Sequence, residues 1–488
     1  MARERKTEPK RSKSPSTSFL KSAPAQEMVP RLMVILSTLF LVVVGLVMVY
    51  SSSSITSLVE QGDPLGEAIK QCLFAVIGTA MAVAVAKFVG EDAWRGRIGD
   101  LFYWVCMGVL VLTFIFGTVG LGAKRWLIIG PISIQGSEFA KIVFVMMAAR
   151  FVEEYRQGHL DFRTAAWKGG LFIALPLVVF VLGAQSDLGT TIICLVGVGV
   201  VVWLGGLSWR ATVSVFAIVA VLGIIAIVAF PYRMQRLMNF SDPWADAQNT
   251  GYQLVHSFKA LASGGLLGVG VGNSYEKLLY LPEAETDFIF AIVGEEMGLL
   301  GSFLVIAAFM VFLVGGFTIA KQARSTFMSL FAAGLTVMIV FQAFLNISCV
   351  VGLAPTTGKP LPFISSGGSS LLSSLLLVGV LLSISYSSSN EGEYRQRRDN
   401  LRVVSAERRE EHREPHRDGH RAGARDRRHD GHRGERRPGS SNGYSGRGSG
   451  LRISQRLDSG VISVLQPVQA GRPATQATYA RQVRAQRR

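Results

Sequence analysis

Between about Leu32 and Tyr386 the chain alternates long apolar runs with short polar connections, and the runs have the length of a bilayer crossing. About 20 residues of helix span the hydrocarbon core, so stretches this apolar predict transmembrane helices rather than soluble-core elements. Ten are expected, at 32–50, 69–89, 101–117, 137–152, 170–184, 188–207, 211–230, 289–319, 326–349 and 368–386. The predicted fold is therefore all-α and polytopic, an integral membrane domain over residues 32–386. The first run ends in SSSS without a small-residue cleavage site, which marks a retained helix and not a signal peptide. The connection 231–286, between the seventh and eighth helices, is by far the longest, and loops of that length usually carry function.

Charge then orients the bundle. The net charge of +16 would suit a nucleic-acid partner, but it resides in the tails. Residues 1–31 carry 8 Lys/Arg against 3 Asp/Glu, and residues 387–488 carry 23 Arg against 12 acids. Basic ends around a neutral middle predict two cytoplasmic termini, with anionic membrane lipids as a secondary attraction and no nucleic acid. The inside connections should hold Lys87, Arg95 and Arg97, then Arg150, Arg156, Arg163 and Lys168, then Arg210, then Lys321 and Arg324. The tail 387–488, rich in Arg, Gly, His and Ser, lacks apolar periodicity and is expected to be disordered. Five of the seven histidines fall in it between His412 and His432, as low-complexity composition and not as a metal site. The four cysteines sit in or beside apolar runs and predict free thiols.

Against this background the misplaced charges stand out. Asp287, where the acidic loop LPEAETD meets an apolar segment, is the leading functional candidate, since a carboxylate at a membrane boundary is usually kept for chemistry. The competing reading is that it caps the next helix. Glu138 and Lys141, three apart on the fourth span, should share a helix face and pair. Lys124 and Arg125 beside Trp126, and Arg233, Arg236, Lys259 and Lys277 in the long connection, are cations on the outer face and invite an anionic ligand. Asp187 before LGTT reads as a helix cap. Lys359 lies among three prolines in a segment expected to be re-entrant or tightly folded, tolerated only where protein or water satisfies its backbone. The run SGGLLGVGVGNS follows no predicted strand, so a dinucleotide site is rejected; its glycines are expected to make tight turns against the membrane surface, with N–H groups open to a phosphate. Cations for an anion and a carboxylate for a proton, gathered on one face, suit a lipid-linked diphosphate reacting at the outer leaflet.

The motifs GAKRW, QGSEFAK, SDLGT, GYQL, SGGLLGVGVGNSYEKLLYLPEAETDFIFAIVGEE and PLPFISSGGSS, in this order, resemble those of the SEDS family (shape, elongation, division and sporulation). The wording GVGVGNSYEKL resembles the FtsW division branch and its sporulation relatives. The resemblance implies a polytopic enzyme polymerising peptidoglycan from lipid II by inverting glycosyl transfer, with septal enrichment in the cytoplasmic membrane. It implies Asp287 as the catalytic aspartate and Glu138 and Lys141 as the charged pair. Lys124, Arg125, Lys277 and Glu296 fall on motif positions and are assigned to substrate binding. Implied partners are a class B penicillin-binding protein and other divisome proteins. A divalent cation, Mg2+ or Mn2+, bridging the diphosphate would be compatible, with no protein ligands assigned. Three positions depart from the family pattern: Gly136 and Ser186 stand where prolines are usual, and Ser366 where a tyrosine is usual. A lipid II flippase and a non-catalytic divisome scaffold are the alternative functions.

Overall fold

The computed structural model describes residues 25–120, 123–129, 132–206, 240–249 and 251–388. The predicted seventh span, Arg210, Arg233, Arg236, the amino tail to residue 24 and the Arg-rich tail with its histidines lie outside the described residues. In chain order the helices are α1 (Ala25–Gln61), α2 (Gly66–Phe88), α3 (Glu91–Arg95), α4 (Arg97–Phe116), α5 (Gly136–Arg156), α6 (Phe162–Ala184), α7 (Leu188–Leu204), α8 (Tyr252–Gly264), α9 (Ile289–Gln322), α10 (Thr326–Val350) and α11 (Gly368–Ser388). Seven of these are long and apolar enough to cross a membrane among the described residues: α1, α2, α4, α6, α9, α10 and α11. Helix α5 spans a similar length but carries more charge, and α7 is a shorter apolar helix.

Three features differ from the expectation. The serine run does not end α1, which continues to Gln61. The hydroxyls of Ser52 and Ser53 hydrogen-bond back to the Val49 carbonyl, so they need no water and the helix goes on. The fold is not purely α: β1 (Thr118–Gly120), β2 (Ala123–Ile129) and β3 (Ile132–Ile134) form a small antiparallel sheet between α4 and α5. Leu127 faces Ile134 and Ile129 faces Ile132, a pairing that favours the β-branched and aromatic residues in this stretch. The long connection also contains α8, an amphipathic helix that hydropathy over a bilayer-length window passes over.

Two sites break helical regularity. Helix α6 turns π-helical over Gly170–Ala174 and Leu177–Ala184, on either side of Pro176, which cannot donate in the helical ladder. Helix α9 kinks at Gly298, whose φ of 67° lies in the left-handed region. On the face bearing Arg95, Glu153 gathers three elements: it accepts from the Arg95 guanidinium at 2.7 Å and from the backbone N–H of Phe327 at 3.0 Å, tying α3 and the start of α10 to α5. Arg150 pairs with Asp100 and donates to the Trp94 carbonyl, which fixes α3 and α4 to the same helix.

The centre of the bundle holds the connection 351–367 between α10 and α11, with Leu361, Phe363 and Ile364 fully enclosed. Helix α1 touches this segment directly, because Gly45 leaves room for its backbone. A Cβ at Gly45 would sit 2.5 Å from the Phe363 carbonyl oxygen and 2.7 Å from the Ile364 Cα. Replacement of Gly by Ala in a helix ordinarily gains about 0.5–1 kcal/mol, whereas overpacking against backbone costs about 1–3 kcal/mol. Gly45→Ala is therefore expected to lower the thermal midpoint in detergent. Gly108→Ala, where nothing lies within 4 Å of the added carbon, should leave it unchanged or raise it.

Candidate functional site

Prolines 355, 360 and 362 exclude a helix from 351–367, so its polar backbone needs other partners inside the bundle. They are present. Leu353 and Ala354 donate to the Ser348 carbonyl, Ile364 and Ser365 to that of Leu361, and Ser366 to that of Glu285. Side chains complete the set: Gln71 donates to the Ser365 carbonyl at 3.1 Å, Gln342 to that of Pro360 at 3.0 Å and Asn346 to that of Lys359 at 2.8 Å. The expected tightly folded segment is thus an internal loop held by α2, α10 and the segment before α9.

This loop carries Lys359 into the interior, where its Nζ meets Asp187 Oδ2 at 2.6 Å; the two side chains are 4% and 3% exposed. Asp187 also caps α7 as its sequence position suggests, accepting from the Thr190 N–H at 3.0 Å and its hydroxyl at 2.8 Å. Gln135 adds a third donor, at 3.2 Å. Burial works against ionisation of Asp187, but the Lys359 ammonium and the Thr190 donors prevail and hold the carboxyl below its usual range. Glu138 and Lys141 pair at 2.8 Å, as the three-residue spacing requires. Lys141 also donates to Gln342 Oε1 at 2.6 Å, so this pair and the loop share one glutamine.

Lys277 and Glu296 find each other rather than open solvent. Lys277 Nζ lies 3.0 Å from Glu296 Oε1, 2.9 Å from Ser51 Oγ and 2.6 Å from the Gly272 carbonyl, and both charged side chains are buried. Its expected role as a cation for substrate is not what this geometry favours. Glu295, next along the helix, accepts from the Ser274 hydroxyl and from the Tyr275 N–H at 2.9 Å. The glycine run is likewise committed: the N–H groups of Gly268, Val269 and Gly270 donate to the carbonyls of Gly264, Glu295 and Glu296. Those amides are therefore not open to a phosphate. Gly268 and Gly298 instead allow two backbones to meet, since a Cβ at either would collide with the other strand of chain.

The other pair of cations differs. Lys124 and Arg125 project from β2 and are half-buried, but their partners are carbonyl oxygens. Lys124 reaches those of Phe114 and Ile115 at 3.3 and 3.2 Å, at the end of α4. Arg125 reaches those of Gln185 and Ser186 at 2.9 and 3.2 Å. Among the described residues neither forms an ion pair with a carboxylate. Ser186 adopts a φ of 48°, which a proline cannot, so at this departure from the family pattern the chain takes a turn closed to the usual residue.

Asp287 stands half-exposed at the foot of α9. The N-cap of that helix is Phe288, so the aspartate lies one residue before the cap position. Three successive carbonyls fix the backbone here: Glu285 accepts from Ser366 N–H at 2.8 Å and Thr286 from Ser365 Oγ at 2.6 Å, both on the internal loop, and Asp287 accepts from Asn346 Nδ2 of α10 at 2.7 Å. The Asn346 amide nitrogen thus serves Asp287 and Lys359 together. Gln342 and Asn346 escaped notice in the sequence, although two amides four apart in an apolar span define one polar helix face. His256 and Glu276, paired at 2.5 Å under the stacked rings of Tyr280 and Tyr275, were also not anticipated. Among the described residues no three His, Cys, Asp or Glu gather as a metal site.

Comparison with known proteins places this arrangement. Stage V sporulation protein E of Bacillus subtilis is 37% identical over 362 residues, covering 73% of this chain and 97% of that one. A probable peptidoglycan glycosyltransferase FtsW of Coxiella burnetii is 35% identical over 363 residues, with 73% and 96% coverage. Among solved structures, a chain from a peptidoglycan synthase complex that coordinates polymerization and crosslinking matches with a TM-score of 0.60 at 26% identity, over 73% of this chain and 97% of that one. The rod shape determining protein RodA of Thermus thermophilus shares the fold, with a TM-score of 0.55 at 24% identity over 76% and 99%. The model of the FtsW/RodA/SpoVE cell cycle proteins matches residues 31–390, and the chain belongs to this SEDS family of multi-pass membrane proteins.

Proposed function

We propose that the chain is a peptidoglycan glycosyltransferase that joins lipid II units into glycan strands at the outer face of the cytoplasmic membrane, in septal synthesis. The observation that carries the assignment of the base is the contrast among carboxylates. Glu138, Asp187 and Glu296 are 1%, 3% and 1% exposed and each lies against a lysine ammonium. Asp287 is half-buried, stands one residue before the N-cap Phe288, and has its backbone carbonyl held by Asn346, which also holds the internal loop. A general base must reach its substrate, and the partial exposure of Asp287 supports that role.

In this scheme the GlcNAc 4-hydroxyl of the acceptor attacks the anomeric carbon of the donor, its proton passes to Asp287, and the bond to undecaprenyl diphosphate breaks with inversion. Lys124 and Arg125, whose charges meet carbonyl dipoles, stabilise the departing diphosphate. Glu138, Lys141, Asp187 and Lys359 hold the loop that positions Asp287, and Lys277 with Glu296 braces α9 against α1. Mg2+ or Mn2+ would arrive with the substrate diphosphate, since Mg2+ is commonly held by phosphates and one or two carboxylates. Cross-linking falls to a class B penicillin-binding protein, alongside other divisome proteins.

Asp287→Asn is nearly isosteric but cannot take the proton. With wild type and variant purified together with the transpeptidase partner and matched for thermal stability, polymer formed from lipid II should fall by about 10²–10⁴-fold. A well-folded variant with substantial residual polymerisation would remove Asp287 from the mechanism, and one that moved lipid II across vesicles without making polymer would favour a flippase.

Orientation is tested separately in a cysteine-free background. Trp244→Cys, at an exposed position of the long connection, should react with an impermeant thiol reagent in intact cells. His159→Cys, exposed between α5 and α6, should react only after lysis. The reverse labelling would put the chemistry on the wrong face.

A further inference from the structure

The connection between α8 and α9 opens with Gly264–Gly272, GGLLGVGVG, a stretch without a single charge. Its aliphatic side chains face outward: Leu266, Leu267, Val269 and Val271 are 69%, 76%, 41% and 56% exposed. A solvated loop would expose polar groups instead, and a contiguous apolar surface of this kind marks contact with a membrane or a protein.

Its position within the fold decides between them. The carbonyls of Gly265 and Leu266 accept from the N–H groups of Leu299 and Leu300 at 3.0 and 3.2 Å, which seats the loop beside α9 immediately past its kink. From there α9 exposes Leu299, Leu300, Phe303 and Leu304 along its membrane-crossing length. The loop's aliphatic side chains therefore extend the exposed apolar face of a helix long and apolar enough to cross a membrane. Depth agrees: about 20 residues of helix cross the hydrocarbon, and counting back from Lys321, the basic residue in the last turn of α9, brings the far edge of the hydrocarbon beside Gly301. The backbone is also prepared to leave water. The N–H groups of Gly268, Val269 and Gly270 donate to backbone carbonyls, and the Gly264, Gly270 and Gly272 carbonyls accept from Gly268 N–H, Asn273 N–H and Lys277 Nζ. Non-helical backbone at membrane depth requires such internal satisfaction.

We infer that Gly264–Gly272 is a membrane-inserted hairpin, with Leu266 and Leu267 among the acyl chains at the edge of one leaflet. It anchors the extracytoplasmic connection that leads to Asp287 to the lipid surface at a fixed depth. The kink at Gly298 and the close passage of Gly268 past it are what bring the hairpin down to that depth.

The test is spin-label accessibility in the full-length, cysteine-free chain reconstituted alone into phosphatidylglycerol-containing vesicles. Nitroxides are placed at Leu267→Cys and, as a second position, Val271→Cys. Leu304→Cys on α9 reports the lipid-facing case and Trp244→Cys the aqueous one. Labels at 267 and 271 should collide with oxygen in preference to a water-soluble nickel chelate, with the ratio at 267 approaching that at 304. Ratios like that at 244 would overturn the insertion. Shielding from both reagents would also overturn it, since it would show the hairpin covered by protein, a second copy of the chain included.

Discussion

The structure depends on one constraint: the non-helical, proline-rich connection between α10 and α11 carries Lys359 and Leu361–Ser365 into the interior of a membrane bundle, where water is not available to that part of its backbone. Residues 351–367 meet that constraint through hydrogen bonds from α2, α10 and the segment before α9, and through the Lys359–Asp187 pair. The pair fixes the loop more than it stabilises the fold as a whole. Two buried charges roughly offset their own desolvation, but removal of one partner leaves the other stranded at a cost of about 3–5 kcal/mol. The loop therefore has one position available to it, and whatever is bonded to it inherits that position.

The segment leading to Asp287 is bonded to it. Three consecutive carbonyls, at 285, 286 and 287, are held by Ser366, Ser365 and Asn346, so the candidate base is placed by its backbone while its side chain stays half-exposed. The same logic separates the cations. Lys141, Lys277 and Lys359 are spent on carboxylates within the bundle, and their function is to orient helices. Lys124 and Arg125 are oriented by carbonyl dipoles. Buried pairs build the frame, whereas these two cations meet carbonyl oxygens.

The helix α9 shows how backbone freedom was used. A single left-handed residue, Gly298, separates a fully enclosed first part bearing Glu295 and Glu296 from a second part with an exposed apolar face. Gly268 lies against that bend because neither residue has a Cβ. The glycine run is thus explained by backbone contact, with its amides already donated, and not by phosphate binding.

Hydropathy and charge along the chain determined the membrane class, the seven described helices long and apolar enough to cross, the free cysteines and the Glu138–Lys141 pair, because each is a property of neighbours in sequence or of one helix face. Asp287 was legible as a carboxylate at a membrane boundary, and Asp187 as a cap. What remained hidden depends on contacts between distant segments. Asp187 and Lys359 stand 172 residues apart, and Asn346 meets Asp287 across 59; no periodicity couples such positions. The β-strands were missed because a helix-length window averages their short alternation away, and the pairing of Lys277 with Glu296 was not legible because Glu296 lies on a separate element, α9. Tertiary structure alone decided which charges cancel, since cancellation requires two side chains to share a place that only the packed bundle provides.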